Sequence, residues 1–360
     1  MGAAPTQADE QFQHRILQGV SRTFALTIPQ LPPALYRAVA NAYLLCRIAD
    51  TIEDDAELPF EDKRHFAELF IAIVEGAAAP DAFASELPTR LAAHATEAER
   101  ELITQTAAVI RITHSFNTAQ RAAMARCVSI MAEGMVFYQG QETLDGVENQ
   151  AAMDRYCYYV AGVVGEMLTT LFCDHCSELA GRETEMMHLA VSFGQGLQMT
   201  NILKDIWDDR SRGACWLPRD IFAAHGVTLS QVQAGAGGAA FHDALGQLIA
   251  TAHGHLANAM RYTLILPARE AGIRRFCLWA LGMAVMTLRK IDQHRNFADG
   301  NDVKISRRTV KATIIATNMT VRSDWALARL FALASHGLPR QAVTTPIASV
   351  ADIAGSRLAR

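Results

Sequence analysis

Apolar residues recur at three- and four-residue spacing over most of the chain, in stretches rich in Ala, Leu, Met, Glu and Gln. That period is the signature of helices with one buried face. Short alternating runs rich in Val, Ile and Thr, punctuated by turn residues, are lacking, and no strand is expected. The pattern predicts an all-α fold. Its breaks fall at residues 29–33, 59, 80–88, 140–146, 213–218, 226–238, 267–272 and 300–302, where Pro or Gly interrupts the periodicity. The intervals between them suit helices of ordinary or somewhat long length. The Ala/Gly tract 234–240 reads as a surface loop, with a helix resuming near Phe241. With no fixed-period repeat and no long linker, the expected organisation is one large helical domain over residues 12–335. A flexible N-terminus, 1–11, precedes it and a C-terminal tail, 336–360, follows.

Composition narrows the picture. Half of the 360 residues are hydrophobic, which excludes a disordered chain, and 33 basic against 37 acidic side chains leave a net charge of −4. Such a balance gives no bulk attraction to nucleic acid. Seven cysteines and an N-terminus without the basic start and apolar core of a secretory signal point to free thiols in a reducing cytoplasm. Cys173 and Cys176 form a CxxC with no second ligand pair nearby, so they read as structural. The longest apolar run, 276–288, is 13 residues before Arg289 and Lys290 interrupt it. A membrane span needs about 20, and this is a buried helix.

The chemistry lies in residues that break the apolar pattern. On a helix expected over 35–57, Tyr43, Cys46 and Asp50 share a face, with Glu53 and Asp54 one turn on. Over 195–209, the residues Gln198, Asn201, Asp205, Asp208 and Asp209 make a second polar seam. Its other sides carry Leu197, Ile202, Leu203, Ile206 and Trp207. Acidic pairs at i, i+4 are usually solvated surface, but two sets with the spacings DxxED and DxxDD on apolar helices are a stronger signal. Each also has a basic neighbour, Arg47 before Asp50 and Lys204 before Asp205. Carboxylates on such helices need neutralisation, and cations supply it. Hard carboxylate oxygens suit Mg²⁺, which bridges readily to phosphate oxygens. Two facing acidic rims would hold a diphosphate through Mg²⁺ and stabilise its departure, with Arg and Lys clamping the same group. The carbocation left behind requires a dry, apolar enclosure.

These segments resemble the squalene and phytoene synthase family. The resemblance rests on SRTFA at 21–25, YLLCRIADTIEDD at 43–55, YCYYVAGVVG at 156–165 and QMTNILKDIWDD at 198–209, and extends over roughly 12–325. It implies the isoprenoid-synthase type of all-helical domain, with a central active-site cavity, joining two isoprenoid diphosphates head to head through a cyclopropylcarbinyl diphosphate. Carried over by position, it makes Asp50, Glu53, Asp54, Asp205, Asp208 and Asp209 the metal and diphosphate rims. Ser21, Arg22, Tyr43, Arg47, Gln198, Asn201 and Lys204 become substrate contacts, polar ones to phosphate or cofactor among them. Tyr156 would steer the carbocation, its ring attracting a cation and its oxygen accepting a proton. Phe24, Val160, Ala161, Val164 and Gly165 would line the prenyl channel, small residues at 161, 162 and 165 leaving room for a chain.

Within the family, the order Phe276, Met283, Thr287 and then 303–305 (VKI) is similar to squalene synthases, which reduce the intermediate with NADPH. Phe276, Lys304 and Arg307 are the implied cofactor contacts, with Arg308 in the same basic run. No GxGxxG fingerprint is present, so a nicotinamide site would be of a non-Rossmann kind. Ala214 stands where many members carry an Arg, with Arg212 two residues before it. The segment 332–360, with Pro339, Pro346, Gly355 and three arginines, is not a membrane anchor, although an oily product makes peripheral membrane contact an expectation. The substrate implied is farnesyl diphosphate. The competing readings are condensation without reduction, as in dehydrosqualene or phytoene synthases, a non-catalytic helical binding module, and a terpene cyclase, against which the paired acidic motifs argue. Chain-length preference and oligomeric state are not legible.

Overall fold

The computed structural model describes residues 4–21, 23–55, 57–93, 95–140 and 143–343. The regular elements among them are helical, and β pairing is limited to an isolated parallel bridge between Val147 and Pro218. The all-α expectation holds. Contacts divide the chain into two compact units, one of Met1–Gly140 and Glu166–Glu183, the other of Gln141–Gly165 and Thr184–Arg360.

In the first unit the helix Gln7–Val20 starts earlier than the residue-12 boundary read from the sequence. Thr6 accepts from the Asp9 amide and Asp9 accepts in return from the Thr6 amide, a capping box that closes the first turn. The same Asp9 carboxylate is buried and takes two bonds from Arg111, at 2.6 and 3.0 Å. That pairing holds its pKa down at about 2. Helix Pro33–Asp54 is apolar around most of its circumference and contacts helix Thr118–Gln139. It ends where Asp55 turns its carboxylate back on the amides of Glu57, Leu58 and Ala92. Asp55 is therefore a structural cap, although it follows directly on the acidic seam. Phe66, Phe70 and Phe83 are fully buried and pack ring against ring. Pro88 lies inside helix Asp81–Arg90, where the sequence pattern placed a break. Helix Phe60–Glu75 stops at Gly76, whose φ of 83° closes the C-terminal turn.

In the second unit helix Gly238–Ile265, begun three residues before the expected Phe241, packs on Ala271–Gln293, which in turn carries Arg307–Thr320 and Asp324–Ala334. Arg274 is 1% exposed and clamps three of these ends. It donates to the Leu266 and Val321 carbonyls, which lie just past two helix C-termini, and pairs with Asp324 at 2.7 Å. Helices also approach unusually closely through glycine. A Cβ on Gly165 would fall 2.4 Å from the Ala190 carbonyl oxygen, and one on Gly194 would fall 2.4 Å from that of Ala161. The backbone widens into a π turn over Tyr158–Gly162 beside this crossing. Two stretches, Gln150–His175 and Ala271–Gln293, are long and apolar enough to cross a membrane by length and composition, and 61% of each tested window is buried in the protein, as in core helices.

Candidate active site

The predicted residues of the first unit line one strip of helix Pro33–Asp54. Tyr43, Arg47, Asp50 and Glu53 keep partial access and Asp54 is exposed, whereas Leu44, Leu45, Ile48, Ala49, Thr51 and Ile52 are buried. The strip starts at the segment 21–24. Ser21 Oγ accepts from the Phe24 amide at 2.9 Å, Phe24 packs on the Tyr43 ring at 5.2 Å between centroids, and the Tyr43 hydroxyl donates to the Val20 carbonyl. These contacts bring Ser21, Phe24 and Tyr43 together, as the motifs implied. Arg22 lies outside the described residues.

Asp50 keeps partial access to water although most of its surroundings are protein. Burial pushes its pKa up to about 7, with the Asp54 charge adding to the rise and Arg47 opposing it. Arg47 is held by an ion pair with Glu99, and its Nε–H is buried without a hydrogen-bond partner. Glu99 escaped the sequence reading, although Thr96 and Glu99 spell a capping box that starts helix Glu97–Thr104. The carbonyl of Glu53 takes bonds from Lys63 and Gln139, which anchors the end of the strip.

In the second unit the second seam is not a single helix. Helix Glu183–Lys204 ends before Asp205, which precedes the short helix Ile206–Ser211 with φ −99° and ψ 15° and no side-chain capping bond. This bend leaves no mark on the residue pattern, because backbone bonds from Asp205 to Asn201 and from Asp209 to Asp205 preserve the helical spacing across it. Gln198, Lys204, Asp205 and Asp209 are half-buried, and Asn201 and Asp208 exposed, against the buried Ile202, Leu203, Ile206 and Trp207. Lys204 pairs with Asp205 at 3.0 Å and Arg212 with Asp209 at 2.6 Å. Thus Arg212 does reach the acidic set, while Ala214 is buried. Burial raises the Asp209 pKa to about 6 against the pull of Arg212, and Asp205 and Asp208 add to the rise. Gly300 closes on this set. A Cβ there would lie 3.1 Å from Asp208 Oδ2 and 3.2 Å from Asp205 Oδ1, so only glycine leaves both oxygens undisturbed. Its contribution was invisible in sequence, being made over about 90 residues of separation.

Tyr156 is buried and its ring stacks on Trp216 at 4.0 Å and 4°. Trp216 is fixed in turn by the bonds between Val147 and the 217–219 backbone. Val160, Ala161 and Val164 keep partial access on a helix whose Tyr158, Tyr159, Gly162 and Val163 are buried. The reading that small residues at 162 and 165 leave space for a chain needs correction. A Cβ at 165 would meet the Ala190 backbone and one at 162 the Tyr158 ring at 3.0 Å, so both glycines serve packing. Phe276 is buried, whereas Lys304 and Arg307 are exposed.

Hard carboxylate donors with raised pKa values fit a divalent cation, which removes the cost of their charge. Among the described residues no three His, Cys, Asp or Glu side chains converge into a complete metal centre. This suits Mg²⁺, which takes one or two carboxylates and completes its shell with water and phosphate oxygens. Lys304 and Arg307 are exposed cations, a chemistry that suits the phosphates of a dinucleotide.

A family model described as squalene/phytoene synthase matches residues 17–309. Squalene synthases of Eremothecium gossypii and Saccharomyces cerevisiae are each 28% identical, over 76% and 85% of this chain. The matched stretches span 60% and 66% of those relatives, so the chain covers less than two thirds of their length. Among solved structures, TcSQS with a ligand superimposes with a TM-score of 0.73 at 24% identity, covering 97% of this chain and 96% of that one. A dehydrosqualene synthase in complex with a ligand gives 0.62 at 19%, over 88% and 98%. These likenesses establish the helical fold.

Proposed function

Because the chain belongs to the squalene/phytoene synthase family, we propose that it joins two farnesyl diphosphates head to head, through presqualene diphosphate, to squalene, with Mg²⁺ and NADPH as cofactors. The observation that carries this reading is the placement of Asp50 and Asp209. Both are carboxyls kept accessible on otherwise buried helices, at a charge penalty that a bound cation removes.

In this reading Asp50, Glu53, Asp54, Asp205, Asp208 and Asp209 hold Mg²⁺, which when bound neutralises charge on a departing diphosphate. Arg47, with its spare buried donor, and Lys204, Gln198, Asn201, Ser21 and Arg22 bind and orient phosphate oxygens. Tyr43 and Phe24 wall the strip. Val160, Ala161 and Val164 line the prenyl chain and exclude water from the cation. Tyr156, its ring plane fixed by Trp216, faces the carbocation and takes up a proton where one is lost. Lys304 and Arg307 bind the phosphates of NADPH near Phe276.

The test is product analysis by mass. Purified protein with farnesyl diphosphate and Mg²⁺ is expected to yield squalene when NADPH is present and to release the cyclopropyl diphosphate or little product without it. Dehydrosqualene formed in the absence of reductant would move the assignment to condensation without reduction. No consumption of farnesyl diphosphate under any condition would leave a binding module.

A further inference from the structure

The last two helices among the described residues carry, beyond Arg307, a surface that the proposed reaction does not use. Of the seven large hydrophobic side chains that are clearly exposed among the described residues, four lie here: Ile315, Met319, Trp325 and Leu333, at 61, 82, 72 and 71%. On helix Arg307–Thr320 the exposed positions Arg308, Lys311, Ile315 and Met319 follow helical spacing along one face. On helix Asp324–Ala334 the exposed Trp325, Arg329 and Leu333 do the same, with the Arg329 guanidinium 5.7 Å above the Trp325 ring. The two helices contact one another, and the buried Arg274 ties them down through the Val321 carbonyl and Asp324. Exposure of these side chains therefore comes from well-anchored helices.

Charge tells what this face would meet. Residues 303–343 contain seven basic side chains and a single acidic one, Asp324, which is already paired with Arg274. The rest of the chain is acidic enough to bring the total to −4. A second copy docking through this face would set like charges against each other. Nucleic acid would use the basic residues but leave Ile315, Met319 and Leu333 in water. We infer that this face seats the protein peripherally on an anionic lipid bilayer, with Met319, Trp325, Ile315 and Leu333 entering the headgroup boundary and Arg308, Lys311, Arg322 and Arg329 meeting lipid phosphates. Trp suits that depth, having an apolar body and a polar N–H. The inference rests on the surface and is independent of which prenyl reaction the protein performs.

The experiment is flotation of the full chain with phosphatidylcholine vesicles, with and without about 30% phosphatidylglycerol, at low and high salt. The protein is expected to float with the anionic vesicles, at least tenfold less with neutral ones, and to be released by salt. Met319→Ser/Trp325→Ser and, separately, Lys311→Glu/Arg329→Glu should each lower partitioning about tenfold or more, with helical circular dichroism unchanged. Both pairs are solvent-exposed, one variant removing apolar contact and the other reversing charge. Absence of flotation, equal partitioning to neutral and anionic vesicles, or full binding by both variants overturns the inference. So does a concentration-dependent dimer that Met319→Ser/Trp325→Ser abolishes, or tight binding of homopolymeric RNA in place of vesicles.

Discussion

Asp50→Asn is expected to lower turnover of farnesyl diphosphate by at least about a hundredfold and, at the same time, to make the metal-free protein harder to melt. Both effects come from one carboxyl. In the unfolded chain this group ionises near 3.8, whereas burial and the Asp54 charge raise it to about 7 in the fold. The folded state therefore resists ionisation that the unfolded state accepts freely, so this group costs nothing below about pH 4. The cost grows as pH rises from 4 to 7 and is complete above 7. Asparagine removes it. Because Asp50 keeps some access to water, we expect a gain on the order of 2 kcal/mol at pH 8, a few degrees in melting temperature, vanishing below pH 4. Adding Mg²⁺ should raise the melting temperature of the wild type more than that of the variant, which keeps the second acidic set. Melting curves at pH 4 and 8 with and without Mg²⁺, beside turnover measurements, check all three. A variant that is less stable at pH 8, or that keeps its activity, would remove Asp50 from the metal rim.

Gly165→Ala and Gly194→Ala should each cost about 3 kcal/mol or more and yield little folded protein. The added methyl would stand 2.4 Å from a carbonyl oxygen and under 3 Å from the adjoining carbonyl carbon, and those atoms belong to helix backbone, which has no rotamer to change. Relief requires two buried helices to separate along their crossing, next to the π turn and Tyr156. The comparison is Gly181→Ala. There φ is 82° but no atom lies within 4 Å, so only backbone strain of about 1 kcal/mol is at stake. Thermal melts of the three variants measure the difference, and equal losses at all three positions would contradict the close-packing argument.

The fold was legible because helix periodicity is a local property: one apolar face every three or four residues is written in the sequence whatever it packs against. The two acidic sets were legible for a related reason, since Asp50 stands out against Ile48 and Ile52, and Asp209 against Ile206 and Trp207. What escaped depends on partners distant in the chain. The glycines at 162 and 165 look like open space until Tyr158 and Ala190 are placed against them. Glu99 looks like a cap until it meets Arg47, and Gly300 like a turn until it lies beside Asp205 and Asp208. Asp55 extends the acidic run in sequence, yet its carboxylate is spent on three backbone amides. Pro88 forgoes the bond to the Ala84 carbonyl, and its helix runs only two residues further, to Arg90, so the break that periodicity suggests falls at the helix end.

The central claim is that each acidic set binds diphosphate through divalent cations. Calorimetric binding of a non-reacting farnesyl thiodiphosphate, with and without Mg²⁺, to the wild type, Asp50→Asn and Asp205→Asn tests it most directly. We predict binding that requires Mg²⁺ and falls at least about tenfold in each variant while helix content is unchanged. Binding of equal strength without Mg²⁺, or loss in one variant with full affinity in the other, would contradict it.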